Sequence, residues 1–160
     1  MQDKAKLVPE KIHIEEFFIT KGQLNSPEGF DLINVDGHEW NAAFNLSFDL
    51  ENKLIRAELT IDIKSRSKAK SNQEEASCEF TFVFIFKVEN IHELTELDNS
   101  KIVVLKGGLG NALSSISYST ARGILISRLQ GTSLQDFMLP VINPNDLLKA
   151  IKKPKKTGKK

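Results

Sequence analysis

The chain has 160 residues, 40% of them hydrophobic and 27% charged, which is a one-domain length with enough apolar material for a core. No run approaches the roughly 20 apolar residues of a membrane-spanning helix. Met1-Gln-Asp-Lys lacks the apolar stretch of a secretory signal, and Cys78, the single cysteine, cannot close an internal disulfide, so the cytoplasm is the expected location. The net charge of +1 conceals an asymmetry: seven lysines and no acid lie in 149–160, leaving a body of 15 basic and 21 acidic residues, about −6.

Residues 1–10 are expected to be a flexible N-terminus. A strand is expected over 11–24, carrying Ile12, Ile14, Phe17, Phe18, Ile19 and Leu24, and its broken alternation predicts a bulge. The clearest pattern follows. Trp40, Ala42, Phe44, Leu46, Phe48 and Leu50 recur with period two, and after Glu51-Asn52-Lys53 the period resumes with Ile55, Ala57, Leu59, Ile61 and Ile63. Two alternating runs joined by a short polar turn predict a β-hairpin with one dry face and one wet face. Residues 65–75 have no apolar period and read as an exposed loop. A strand over 76–89 aligns Phe80, Phe82, Phe84 and Phe86 on one side, with Val83 and Ile85 on the other.

After Gly107-Gly108, read as a flexible hinge, the period lengthens. Residues 111–130 predict a helix, with Asn111 as its cap and Gly131 at its end. Leu113, Ile116, Tyr118, Ala121, Ile124, Leu125 and Leu129 form a wide apolar girdle that excludes Arg122 and Ile126, and such a girdle suggests cover from more than one surface. Asn143-Pro144-Asn145-Asp146 has the order of a helix start, and Leu147, Leu148 and Ile151 supply the apolar side of that second helix. Strands followed by helices predict an α+β fold, with helices packed on one face of an antiparallel sheet. Residues 11–151 form the expected domain, and 152–160 an expected disordered lysine-rich tail.

Catalytic and metal chemistry find no foothold. His13, His38 and His92 are scattered and, with one cysteine, give no metal-ligand spacing. Ser114, Ser115, Ser117 and Ser119 lie outside any Gly-x-Ser-x-Gly turn and read as helix-surface or backbone-bonding hydroxyls. Lys106-Gly107-Gly108-Leu109-Gly110 lacks the Gly-Lys-Ser/Thr ending of a phosphate loop. No aromatic residue interleaves the tail lysines, so a solubilising tail is the expectation and nucleic acid is not an expected partner. No cofactor and no metal are expected.

The order Tyr118-Ser-Thr-Ala121-Arg122, Gly131-Thr132, Leu139-Pro140-Val141-Ile142-Asn143 and Leu147-Leu148 resembles the C-terminal signature of SecB chaperones. There an aromatic-Ala-Arg helix leads through Gly-Thr and Leu-x-Pro-x-Asn to a final helix. Trp40 ahead of Phe44-Asn-Leu46-Ser-Phe48 resembles the tryptophan before the family's second strand. Ile12-His-Ile14 through Pro27 resembles its first strand and turn. The resemblance implies a four-stranded antiparallel sheet with a long and a short helix, and a homotetramer built as a dimer of dimers. It also implies a non-enzymatic holdase that binds unfolded or precursor polypeptides in apolar grooves without ATP, in protein export.

In such a protein the client groove would include Trp40, Phe44, Ile102, Val104, Leu105, Phe137 and Met138. The subunit interface would include Leu113, Ile116, Tyr118, Leu125 and Leu129. The family's contact with the SecA translocase motor uses acidic side chains near the first strand, whereas the matching positions here are Lys21 and Asn25. Protection of an antitoxin in a toxin–antitoxin system is therefore an alternative task. A hot-dog-like thioester enzyme or small-molecule-binding domain is the alternative of another class.

Overall fold

The computed structural model describes residues 5–151, with Ala150 and Ile151 described by their backbone alone. Strands β1 (Ile12–Asn25), β2 (Val35–Asp49), β3 (Leu54–Ser67) and β4 (Ser77–Val88) form one antiparallel sheet in the order β1-β4-β3-β2. A short helix α1 (Ile91–Leu94) leads into a hairpin of β5 (Thr95–Leu97) and β6 (Val103–Leu105). Helices α2 (Leu109–Arg128) and α3 (Pro144–Ile151) follow.

The period-two residues explain the sheet. Register places Ala42, Ile61, Phe80 and Gly22 in one row across it. Phe44, Leu59, Phe82 and Ile19 make the next row; Leu46, Ala57, Phe84 and Phe17 the third; Phe48, Ile55, Phe86 and Ile14 the fourth. All of these point to one face, and from β3 and β4 they are buried. Each fully buried Phe, Ile or Leu contributes about 1.5–3 kcal/mol, so these rows dominate the core. On that face α2 packs on β3 and α3 on β2, bringing in Leu109, Leu113, Tyr118, Ala121, Leu125 and Leu147. Val83, on the opposite face, is also fully buried, in register between Phe18 and Glu58.

The turn after β2 forms as its residues dictate. Asp49 accepts from the Asn52 backbone amide (3.1 Å) and side-chain amide (2.8 Å), while Lys53 takes the left-handed conformation at φ 59°. The two register shifts in β1, between Ile14 and Glu16 and between Ile19 and Lys21, are the expected irregularity.

Several boundaries differ from the sequence reading. β2 begins five residues before Trp40, and β3 continues through Ser67 into the stretch expected to be a loop. Its extension is held by Glu75, whose carboxylate accepts from the Ser65 hydroxyl and from the Ser67 amide (2.8 Å) and hydroxyl (3.1 Å). Burial would raise the pKa of Glu75, but these three donors outweigh it and lower it. Helix α2 starts at Leu109 rather than after Asn111, because Gly108 at φ 82° is its N-cap. Asn111 instead donates its side-chain amide to Asn145 on α3 (3.2 Å).

Of the glycine pair expected to be a hinge, Gly107 is crowded and Gly108 is open. A Cβ on Gly107, at φ 63°, would sit 2.7 Å from Leu94 and 2.8 Å from the Ala5 carbonyl. Ala5 and Leu7, from the stretch expected to be flexible, pack against the core. The lysine tail 152–160 lies outside the described residues.

Candidate functional site

Apart from Ile33 and Ile126, the exposed large apolar side chains among the described residues gather in three places. The first surrounds the seam between β2 and α3, where Trp40, Asn41, Ala42, Ile142, Asp146 and Leu147 line an open cavity of about 280 Å³. The segment joining α2 to α3 forms one wall. It is pinned where Tyr118 donates its hydroxyl to the Pro140 carbonyl (2.7 Å) and where Phe137 rests on the His38 ring, centroids 5.2 Å apart. Between these anchors Met138 is 58% exposed, and beyond them Val141 is 81% exposed. Burial among apolar groups and backbone raises the pKa of Tyr118, which keeps its hydroxyl a donor.

The second place is the β5–β6 hairpin. Asp98 accepts from the amides of Ser100 (2.8 Å) and Ile102 (2.9 Å), fixing a tight tip that presents Ile102. Leu97, Ile102 and Val104 are exposed, while Leu105 turns inward over Gly110, which Leu148 of α3 also approaches. Helix α3 therefore connects both places, with Leu147 toward Trp40 and Leu148 toward the hairpin. The third place is β1. Ile14, Phe17 and Leu24 on the core face and Phe18 on the other are each 40–49% exposed. The Phe17 ring lies 5.0 Å from that of Phe84 and 6.4 Å from that of Phe82.

The side chains expected in a client groove separate into two groups. Trp40, Ile102, Val104, Leu105, Phe137 and Met138 all lie at least partly open on the first two surfaces. Phe44 does not: it is 2% exposed in the middle of the sheet, where Leu59 lies beside it. Of the expected interface residues, Leu113, Tyr118, Leu125 and Leu129 are buried in the chain's own core, because the girdle is covered by its own sheet. Ile116 alone is half exposed. The sequence reading placed none of Ile14, Phe17, Phe18, Leu24, Leu97 or Val141 in the client groove or the subunit interface. The adjacent pair Phe17-Phe18 was the available signal, since neighbours in a strand face opposite ways.

The polar positions are committed elsewhere. Lys21 is paired with Glu79 (2.7 Å), and Asn25 donates to Glu74 (3.2 Å). The Cys78 thiol is pushed up to about 11 by burial and by the charge of Asp62, and is inert as a nucleophile at neutral pH. Among the described residues no group of three or more His, Cys, Asp or Glu side chains is arranged to hold a metal ion. No helix there is long and apolar enough to cross a membrane.

No family model matches the sequence, and no curated protein matches it. A solved structure does match the fold. It is the SecB-like chaperone Rv1957 of Mycobacterium tuberculosis in complex with a ChAD peptide from the Rv1956 HigA1 antitoxin, with a TM-score of 0.55 at 12% identity over 83% of this chain and 91% of that one. The fold is SecB-like. A protein of unknown function from Streptococcus agalactiae aligns over 81% of this chain at 11% identity, but its TM-score of 0.31 carries no argument. The SecB-like architecture, a four-stranded antiparallel sheet with a long and a short helix on one face, is the one expected from 118–148 and the alternating strands. Its long helix follows all four strands of the main sheet and lies on one side of them, which sets it apart from the wrapped central helix of a hot-dog domain.

Proposed function

We propose that this chain is a nucleotide-independent holdase, binding extended, unfolded segments of other polypeptides on the apolar surface between β2, the α2–α3 segment and the β5–β6 hairpin. The observation that carries the reading is the exposure of Met138, Val141, Ile102 and Val104, with Trp40 half buried, on two surfaces that meet α3 in a SecB-like fold. Aromatic, methionine and aliphatic side chains accept varied partners without sequence-specific hydrogen bonds. No chemical step is required, so no acid, base or nucleophile is assigned.

Of the two client classes, an antitoxin-type partner is better supported than an export precursor. The matching solved structure holds an antitoxin peptide. The positions expected to meet the translocase motor are a lysine in an ion pair and an asparagine, neither of them an acid. Assembly into a homotetramer belongs to the same proposal, with Ile116 and the exposed row on β1 as contact surfaces. The proposed location is the cytoplasm.

The test is suppression of aggregation of a chemically unfolded probe protein, without nucleotide, together with native mass. Suppression by a particle near four chains supports the reading. Replacing Met138 and Val141 together by glutamate should weaken probe binding by about 10-fold or more and leave the melting temperature unchanged, since both side chains are exposed. A monomer that leaves aggregation unaltered sinks it.

A further inference from the structure

The wall that the α2–α3 segment gives to the seam is held by contacts of two kinds. At one end Leu139 is buried and the Pro140 carbonyl accepts from Tyr118 (2.7 Å), whose raised pKa keeps the hydroxyl protonated. At the other end Phe137 is half buried, and its ring rests on His38 with centroids 5.2 Å apart. Met138 stands exposed between them. One end of the wall therefore depends on the side chain whose ordinary pKa puts its charge change near neutral pH.

His38 is seated for its neutral form. It stands two residues before Trp40 on the same face of β2, opposite the buried Ser65. Ser65 gives its hydroxyl to Glu75 and takes the Ala76 amide (2.9 Å), and both Glu75 oxygens are bonded by Ser65 and Ser67. Asp36 accepts from Arg66 (3.1 Å), whose guanidinium lies over Gly37, where a Cβ would collide with it. These two acids have other donors, and a cation is fixed close to the imidazole. Glu39, next along β2, points to the other face. Loss of solvent opposes the proton on His38 most strongly and Arg66 adds to it, while Asp136 on the wall and Glu75 counter them without overcoming them.

We propose that His38 is a latch on the client site and that its protonation opens it. The neutral ring supports Phe137 and so fixes Met138 beside it. The imidazolium turns out to water, Phe137 loses its support, and 136–138 no longer presents a set surface to the client. Leu139 and the Tyr118–Pro140 bond keep the rest of the wall in place, so the fold persists while the held segment is released. A loosened wall has to be ordered anew when a client binds, which weakens the complex. The inference rests on the holdase reading and names the regulation of its site.

The probe is a synthetic peptide of alternating leucine and threonine with paired lysines at each end and blocked termini, which carries no group titrating between pH 7.5 and 5.5. Its affinity for the full chain, measured by calorimetry, should fall about 3-fold or more over that range. His38→Gln should bind it equally at both pH values. Phe137→Ala, which removes the ring that His38 supports, should bind more weakly and also without a slope. His13→Gln and His92→Gln should keep the wild-type profile. A role for His38 in packing alone would lower affinity at every pH and leave the slope intact. Amide exchange, corrected for its intrinsic pH dependence, should quicken at 137–138 on acidification and stay slow in the centre of α2. A slope that survives in His38→Gln, an affinity that rises on acidification, or exchange unchanged at 137–138 each overturn the latch. Wild-type binding that ignores pH overturns the latch and leaves the holdase reading standing. Failure of the peptide to bind at pH 7.5 overturns the latch as well, and the holdase reading falls with it if aggregation of the unfolded probe protein is also unsuppressed.

Discussion

Phe82 is fully buried between Ile19 of β1 and Leu59 of β3, and its ring stacks 5.9 Å from that of Phe80. Truncation there removes dispersion contacts and leaves a cavity that a four-row sheet cannot close. Phe82→Ala should therefore cost about 3–5 kcal/mol in urea unfolding. His38 makes a prediction of the opposite kind. Burial lowers its pKa below 6.5; Asp136 and Glu75 oppose that shift and Arg66 adds to it. The unfolded state then binds the proton more readily, so the contribution of neutral His38 is complete above pH 6.5 and is lost as pH falls through its depressed folded value. Comparing urea midpoints at pH 7.5 and 5.5, the wild type should lose more stability on acidification than His38→Gln. An equal loss would show that the imidazole does not sense its place on Phe137. For Cys78 the raised thiol predicts alkylation at pH 8 far slower in the folded chain than in urea, measured by mass.

The corner between β6 and α2 shows what an element needs from its ends. Gly107 and Gly108 both have positive φ, 63° and 82°, but only Gly107 is crowded, by Leu94 and Ala5. Gly108→Ala should cost about 1 kcal/mol of backbone strain, while Gly107→Ala adds a steric clash and should cost about 2–3 kcal/mol. Equal thermal shifts would mean that the segment around Ala5 moves aside without penalty. The same corner marks a limit of reading elements from sequence. Asn111 is a good cap residue in isolation, yet a glycine already in the left-handed region can start the helix earlier and free Asn111 for Asn145. The strands were more legible, because period two survives every boundary error: rows such as Phe44–Leu59–Phe82 follow directly from alternation. The continuation of β3 to Ser67 was not legible, since it depends on Glu75, which lies across a loop.

For the whole molecule, the sequence told which side chains are apolar but not which the chain would cover by itself. Leu113, Tyr118, Leu125 and Leu129 looked available for a neighbour and are spent on the chain's own sheet. Phe17 and Phe18, which the sequence placed on a strand without saying what covers them, are each 40% exposed, and no helix makes extensive contact with β1. Trp40 stays half buried because an open cavity remains between β2 and the α2–α3 segment, and Leu97, Ile102 and Val104 are exposed on a hairpin whose strands pair only with each other. A chain ending at residue 151 should suppress probe aggregation as well as the full chain does, because the seam lies in the folded body. Loss of that activity on shortening would assign the work to the lysines.

Trp40, the single tryptophan, stands half buried on the wall of the cavity beside Ile142 and Leu147. Whatever fills that cavity drives water from around the indole, and the emission of the unlabelled protein should move to shorter wavelength as it does so. The molecule thus carries an optical gauge of its own occupancy, and a titration followed at that one residue would count how many chains in an assembly are loaded.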